Sequence, residues 1–106
     1  MRANERALVD RLLSLERMGP DGIPILGAVA WKFGRREVYA DGTSADGGWR
    51  TWCRYCKVWH HHGAGPGHRV AHCFDHDRGG KRIQSPYRQT GYILVLADRL
   101  ENPDTL

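Results

Sequence analysis

Three cysteines in the second half of the chain carry the clearest chemical signal in this sequence. Cys53 and Cys56 form a C-x2-C pair, a spacing at which a tight turn lets two thiolates face one metal ion about 2.3 Å from each sulfur. Sixteen residues then separate Cys56 from Cys73, and His76 follows Cys73 at the same x2 spacing. This arrangement approximates a two-knuckle zinc site with histidine in the last position. The sequence therefore predicts one structural Zn²⁺.

The sequence does not decide which residue is the fourth ligand, because all six histidines of the chain lie near the cysteines. His68 precedes Cys73 with an H-x4-C spacing and offers an imidazole as readily as His76, so these two rank equally. His72 ranks behind them, since side chains of neighbouring residues in an extended chain point to opposite faces. Three consecutive histidines soon after the first cysteine pair could serve in a different geometry, although three in a row cannot all face one ion: His60, His61 and His62.

Other uses of the cysteines fit the sequence less well. A disulfide framework would leave one of three cysteines over, and three unligated buried thiols would not explain why they cluster with every histidine. The string Trp52-Cys53-Arg54-Tyr55-Cys56 resembles the W-C-x-x-C of thioredoxin-like redox proteins, but that motif opens a helix. The residues that follow Cys56 are β-branched and aromatic, which indicates a strand. A shared metal in a reducing compartment, the cytoplasm, uses all three thiols.

Positive charge is concentrated where the cysteines are. The chain has a net charge of +4, yet the segment from Trp49 to Thr90 carries +6, so the remainder carries −2. Cationic side chains on phosphates, interleaved with aromatic side chains that stack on bases, are typical of proteins that bind single strands or distorted duplexes. In the alternative, the aromatic residues form a core around the metal and the arginines only solvate it. The candidate nucleic-acid contacts are Arg50, Arg54, Lys57, Arg69, Lys81, Arg82 and Arg88.

Two further functions stay open. The string Trp59-His60-His61-His62-Gly63 resembles part of the HNH or His-Me nucleases, in which a histidine at a strand end activates water beside a metal ion. The downstream Asn or His of that class is not evident in Gly79 to Ser85, so the sequence favours a protein that is not an enzyme. The other function is a zinc-stabilised module that docks on a protein partner, as a phage or host regulator would, through the N-terminal helix or the Trp31 to Tyr39 hairpin.

An N-terminal helix and several short strands must position these residues. Leu8, Leu12 and Leu15 recur at helical spacing and predict an amphipathic helix from Asn4, its expected N-cap, to Arg17. Five further segments complete the prediction. The first half contains a hairpin of Ile25 to Phe33 with Glu37 to Ala40, followed by a turn from Asp41 to Gly48. The second half contains a hairpin of Trp49 to Trp52 with Lys57 to His61, which carries the metal knuckle at its tip, then a buried strand from Tyr92 to Ala97 and a C-terminal tail.

The predicted architecture is a small single α+β domain in which the N-terminal helix packs on short antiparallel strands, with a zinc-ribbon-like knuckle pair in the second half. Its parts are a helix plus hairpin over residues 1–48, a zinc-binding half over 49–97 and a tail over 98–106. The longest apolar run, Tyr92 to Ala97, is far shorter than the roughly 20 residues that span a bilayer, so no membrane association is expected.

Three strings carry a resemblance to other proteins. They are Cys53-Arg-Tyr-Cys56-Lys-Val-Trp-His-His-His-Gly63, then Gly67-His-Arg-Val-Ala-His-Cys73, then Ser85-Pro-Tyr-Arg-Gln-Thr-Gly-Tyr92. Over about residues 53–92 the chain resembles short, uncharacterised Cys/His-rich zinc-binding proteins encoded by actinobacteria and their phages. The resemblance implies zinc and an actinobacterial or phage origin, and it implies no activity.

Overall fold

The computed structural model describes residues 1–31, 37–38, 44–45 and 48–103, the two dipeptides by their backbone alone. The chain is a small α+β domain in which an N-terminal helix lies against a mixed, curled sheet. In chain order the elements are α1 (Ala3–Leu15), β1 (Arg17–Met18), β2 (Pro24–Trp31), β3 (Glu37–Val38), β4 (Ser44–Ala45), β5 (Gly48–Cys53), β6 (Val58–His62), β7 (Gly67–Arg69), α2 (Tyr87–Thr90), β8 (Tyr92–Leu96) and α3 (Ala97–Glu101).

The main sheet has the strand order β6-β5-β2-β8-β7, and β1 pairs with the beginning of β2. The prediction of antiparallel strands is wrong for its central pair, because β2 and β8 run parallel, with Ile25 opposite Ile93 and Ala28 opposite Leu96. Parallel neighbours need a long crossover connection. Here the whole metal-binding segment lies between the two strands in the sequence, so β5, β6 and β7 are all contributed by that connection.

Helix α1 is confirmed, and it buries Val9 and Leu12. Leu12 lies against Gly27 of β2, where an added Cβ would meet the leucine side chain at 3.4 Å. The predicted N-cap is wrong by two residues: the cap position is Arg2, and the Asn4 side chain instead accepts a hydrogen bond from the Glu5 amide at 2.9 Å. The helix ends at Leu15 because the next residues form β1. In the described part of the chain, no helix has the length and apolar character that crossing a membrane requires.

The predicted hairpin of Ile25 to Phe33 with Glu37 to Ala40 is wrong in its pairing. Strand β2 pairs with β5, with Val29 opposite Arg50, while β3 pairs with β4 in a separate two-stranded sheet. Part of the predicted turn from Asp41 to Gly48 is thus strand. Strand β5 has six residues and is itself paired with β6, so it offers β2 a neighbour that already belongs to a hairpin. Residues 32–36, 39–43 and 46–47 of these predictions lie outside the described residues.

The predicted tail over 98–106 begins as a helix, α3, which is held to α1 by ion pairs. The Arg11 guanidinium lies 2.8 Å from a carboxylate oxygen of Asp98, and its Nε donates to Glu101 at 3.1 Å. These hydrogen bonds raise the pKa of Arg11, with Glu101 as the largest cause. Residues 104–106 lie outside the described residues.

Candidate metal centre

The C-x2-C pair lies at the tip of the β5–β6 hairpin, as the sequence predicts. Cys53 is the last residue of β5 and pairs with Val58, the first of β6. The Lys57 amide donates to the Cys53 carbonyl at 2.8 Å, and Lys57 adopts a left-handed backbone with φ of 57°. The Cys56 amide points at Cys53 Sγ, 3.4 Å away. The turn therefore brings both sulfurs to one side, in a strand-turn-strand context that differs from the helix start of a thioredoxin-like motif.

His60 reaches the same place from the inner face of the hairpin. It pairs directly with Thr51, so the two side chains share a face of the sheet, and Cys53 lies two residues further along that face. All three are buried, with exposed fractions of 1% for Thr51, 1% for Cys53 and 3% for His60. Thr51 also donates to the Gly27 carbonyl of β2 at 2.7 Å. The register of β5 and β6 thus directs the His60 imidazole toward the thiols.

Cys73 completes the group from the extended segment that follows β7. Its Sγ lies 3.8 Å from Cys53 Sγ and 3.9 Å from His60 Nε2. The donor atoms of Cys53, Cys56, His60 and Cys73 all lie within 4.8 Å of one another. In a tetrahedral zinc site, two sulfurs are about 3.8 Å apart and a sulfur and a nitrogen about 3.6 Å. The four residues therefore form a cluster that could bind a metal ion.

Burial sets the protonation of these donors. It is the largest cause that raises the pKa of Cys53, to about 12, and it raises the pKa of Cys73 as well. The Ser85 hydroxyl, 3.0 Å from Cys73 Sγ, acts in the opposite direction by hydrogen bonding to the sulfur. Burial also lowers the pKa of His60, which favours the neutral imidazole that a metal requires. A metal cation bound by the thiolates would neutralise their negative charge, which is otherwise unfavourable in the protein interior.

Aromatic side chains cover the cluster on its sheet side. Tyr92 and Tyr87 are buried in the same core as Cys53, and their rings meet edge to face with centroids 5.5 Å apart. Tyr92 forms a hydrogen bond with His62, and burial is the main reason that the pKa of His62 falls to about 4. These aromatic side chains keep the inner face of the hairpin buried and fixed in position.

The two histidines that sequence spacing ranked first lie outside the cluster. His68 is exposed on β7, and its Nε2 is 2.9 Å from the Thr90 carbonyl oxygen. His76 is also exposed and forms an isolated backbone bridge with Arg82. Neither His68 nor His76 is therefore part of the cluster, whose fourth member is His60.

The remaining histidines take other positions around the hairpin. His72 stacks on His62, with ring centroids 4.7 Å apart and planes at 23°. His61 points to the opposite face of β6 from His60, where its ring lies 5.4 Å from that of Trp31. Alternation along β6 turns His61 away from the thiols. His62 shares the face of His60 but lies two residues further from the knuckle, where it forms a hydrogen bond with Tyr92.

Four of the seven predicted nucleic-acid contacts are engaged within the protein. The Arg50 guanidinium lies between two indole rings, 4.3 Å from the centroid of Trp31 and 3.9 Å from that of Trp59. The other three bind to oxygen atoms of the chain: Arg54 to the Glu16 carboxylate, Arg69 to the Gly63 and Gly65 carbonyls, and Arg88 to the Phe74 carbonyl and Asp75. These arginines hold loops and strands together.

The other three predicted contacts, Lys57, Lys81 and Arg82, are exposed. Arg78, which the sequence prediction did not include among the contacts, is exposed in the same loop as Lys81 and Arg82, whereas Lys57 lies at the tip of the β5–β6 hairpin. Among the described residues, none of these four side chains has an ion pair or a side-chain hydrogen bond. Of the seven predicted contacts, Lys57, Lys81 and Arg82 are therefore the ones that remain available to a partner.

No family model, curated protein or solved structure matches this chain. Its function is therefore inferred from the chemistry of the cluster and of the surface around it.

Proposed function

We propose that Cys53, Cys56, His60 and Cys73 bind one Zn²⁺ in a structural role. The observation that carries this proposal is the spacing of the donor atoms, above all the 3.8 Å between the sulfurs of Cys53 and Cys73. Three thiolates and one imidazole are a ligand set typical of structural zinc. The three cysteines are free thiols, and a reducing compartment such as the cytoplasm keeps them available for the metal.

A structural role suits this site better than a catalytic one. Four protein ligands fill the tetrahedral coordination of zinc, whereas catalytic sites keep one position open for water or substrate. The nuclease alternative needs a histidine at a strand end to activate water. His62, the last residue of β6, is instead hydrogen-bonded to Tyr92, and the Nε2 of His60 faces Cys73 with only 3% of the residue exposed. The proposal is therefore a zinc-stabilised module that is not an enzyme.

Metal analysis of single variants tests the ligand set. Elemental analysis of the purified protein is expected to give one zinc per chain. Cys53→Ser, Cys73→Ser and His60→Ala are each expected to lower the zinc content well below one equivalent. His68→Ala and His76→Ala are the matched controls, because both imidazoles are exposed and outside the cluster, and both variants should keep one zinc. Full zinc content in the His60 variant would overturn the ligand assignment.

We further propose that the zinc-binding half is a nucleic-acid-binding module. The supporting observations are the net charge of +6 from Trp49 to Thr90 and the four exposed cations near the cluster. Positive side chains that no internal carboxylate neutralises attract phosphates and release the counterions around them. Binding to labelled single- and double-stranded DNA at two salt concentrations tests this function. Zinc-loaded protein that binds neither form would instead favour a protein partner.

A further inference from the structure

A groove runs along the metal centre between the hairpin tip and the loop that follows Cys73. We call it the knuckle groove; its volume is about 860 Å³. Its lining includes the hairpin residues Lys57 and Trp59 on one side and Phe74, Asp77 and Arg78 on the other. Both sides are continuous with ligands of the cluster, since Lys57 follows Cys56 and Phe74 follows Cys73. The groove therefore depends on the geometry of the metal site.

Hydrogen bonds order the loop side of the knuckle groove. The Asp77 amide donates to the Lys81 carbonyl at 2.8 Å, and the Gly80 amide donates to the Asp77 carbonyl at 3.0 Å. The Asp77 carboxylate accepts two further backbone hydrogen bonds at 2.9 Å each, from the amides of Gly79 and Lys81. The one carboxylate in the lining is thus already engaged by the turn it stabilises. The tip of the loop presents Arg78, with Lys81 and Arg82 following it.

Cations and aromatic rings meet in this groove. Lys57 and Arg78 line it from opposite sides, while Lys81 and Arg82 extend the positive charge along the loop. Phe74 is 56% exposed, so much of its ring is open to a partner. On the other side, the Trp59 ring is fixed by a hydrogen bond from its Nε1 to Glu5 at 2.8 Å.

We propose that the knuckle groove binds single-stranded nucleic acid. Lys57, Arg78, Lys81 and Arg82 bind the phosphates, and a base stacks on the exposed face of Phe74. Proteins that bind single strands combine a positive groove with aromatic stacking positions in this way, and an unpaired base is required to reach such a ring. This inference rests on the proposed nucleic-acid-binding function and names the surface and the form of nucleic acid.

The test uses zinc-loaded full-length protein with a labelled oligo(dT) strand and a duplex of the same length, at two or more salt concentrations. The double variant Arg78→Ala/Lys81→Ala is expected to weaken strand binding at least tenfold at low salt. It should also reduce the slope of log affinity against log salt by about 1.4, which is about 0.7 for each phosphate contact with a single strand. Phe74→Ala is expected to weaken binding of the single strand about tenfold and to leave the slope of log affinity against log salt unchanged, because stacking releases no counterions.

The matched control is Arg17→Ala/Arg99→Ala, which removes the same charge from exposed residues on β1 and α3 and should bind almost as the parent does. All variants change exposed side chains outside the cluster, so one zinc per chain is the check on their folding. If the parent binds the strand and the groove variants behave like this control, the knuckle groove is the wrong surface while the proposed function stands.

Three other outcomes would overturn the inference differently. Tighter binding to the duplex than to the strand would exclude the single-strand assignment. Binding to polyglutamate as tightly as to oligo(dT), with no effect of Phe74→Ala, would identify a surface for an acidic protein segment. If the zinc-loaded parent binds no nucleic acid at either salt concentration, the proposed nucleic-acid function and the groove assignment both fail.

Discussion

Two regions of the molecule bury different kinds of atoms. The helical layer consists of α1, β2 and β8. The metal half consists of the β5–β6 hairpin and the segment from β7 to Ser85. In the helical layer most of the buried side chains are aliphatic, such as Leu12, Leu26 and Leu94, and Tyr92 of β8 is the aromatic exception. In the metal half, the inner face of the hairpin buries a hydroxyl, a thiol and an imidazole, from Thr51, Cys53 and His60.

This difference shows what each region needs in order to stay folded. Aliphatic burial stabilises the helical layer without any ligand. In the metal half, residues 74–82 are all exposed, and Ile83 and Ser85 are the buried residues between Cys73 and Tyr87. A loop with so little apolar burial cannot offset its conformational entropy alone. The bond from Cys73 to the metal is what we expect to hold it.

Removal of zinc should break this comparison most strongly. Structural zinc contributes apparent folding free energies on the order of 10 kcal/mol in small zinc-finger peptides, so a strong chelator should loosen residues 49–92 far more than α1. Amide hydrogen exchange of the zinc-loaded protein, with and without chelator, measures this region by region. Exchange over the hairpin and the 74–83 loop should accelerate at least a hundredfold, and added zinc should reverse it. Equal protection in both states would contradict the structural role.

Leu12→Ala tests the helical layer in the opposite sense. The side chain is 3% exposed and packs on β2, so its truncation is expected to lower the free energy of unfolding by about 2–5 kcal/mol. Urea unfolding of the zinc-loaded protein measures this change. The folded variant should still bind one zinc per chain. Leu13→Ala, at a half-buried position of the same helix, is the matched control and should cost less. Loss of zinc from the folded Leu12 variant would show that the two regions are not separable.

Ser85→Ala tests how far the zinc affinity of the metal half depends on a residue at its edge. Its hydroxyl donates to the Cys73 thiolate, and loss of such a supporting hydrogen bond is expected to weaken zinc binding about 10- to 100-fold. Competition with a chromogenic chelator measures the affinity. Ser14→Ala is the matched control, because that hydroxyl donates to the Arg11 carbonyl on α1. An unchanged zinc affinity in the Ser85 variant would remove the serine from the site.

Tyr87→Phe is expected to have the smallest effect, and the pH-dependent part of that effect appears only in alkaline solution. Burial, followed by the hydrogen bond that the phenol donates to Glu16, raises the pKa of Tyr87 above its ordinary value of about 10. The unfolded chain therefore loses this proton first. Stability is complete below pH 10 and declines as the pH rises above it, by at most about 1.4 kcal/mol per pH unit.

Urea unfolding at pH 8 and at pH 10.5 measures this decline in the parent and the variant. Tyr87→Phe should be less stable at pH 8, because the hydrogen bond to Glu16 is lost, and should decline less between the two pH values. Burial also raises the pKa of Tyr92, so part of the alkaline decline should remain. Identical declines in the two proteins would contradict the assignment.

The sequence predicts the elements whose signal is local. Helical spacing of leucines predicts α1, and the C-x2-C pair between two aromatic segments predicts the β5–β6 hairpin with the knuckle at its tip. Pairing between distant strands has no such signal. The run from Tyr92 to Leu96 indicates a buried strand, but nothing in it indicates that its neighbours are β2 and β7. Helix α3 is five residues long, too short for periodicity, and its contacts with Arg11 come from the other end of the chain.

The fourth donor shows how a local signal can be missed. Linear spacing from Cys73 favours His68 and His76, whereas the structure uses a position set by strand pairing. A tight turn at Cys53 to Cys56 places Val58 opposite Cys53, and alternation then puts His60 and His62 on the inner face and His61 on the outer one. The inner histidine nearer to the knuckle is His60. The pairing register of β5 and β6, combined with the position of the C-x2-C turn, could therefore have predicted His60 as the fourth donor.

The parallel pairing of β2 with β8 has a consequence for the order in which the chain folds. Ile25 cannot meet Ile93 until Ile93 has been synthesised and has left the ribosome, so the centre of the sheet closes after the metal-binding segment has emerged. Cys73 is synthesised well before β8, and its ligand partners precede it. Metal capture can thus come first, and it shortens the unstructured connection that β2 and β8 must close, which lowers the entropic cost of the last step. If the four donors bind zinc as proposed, cells short of zinc would accumulate chains that fail to complete the sheet.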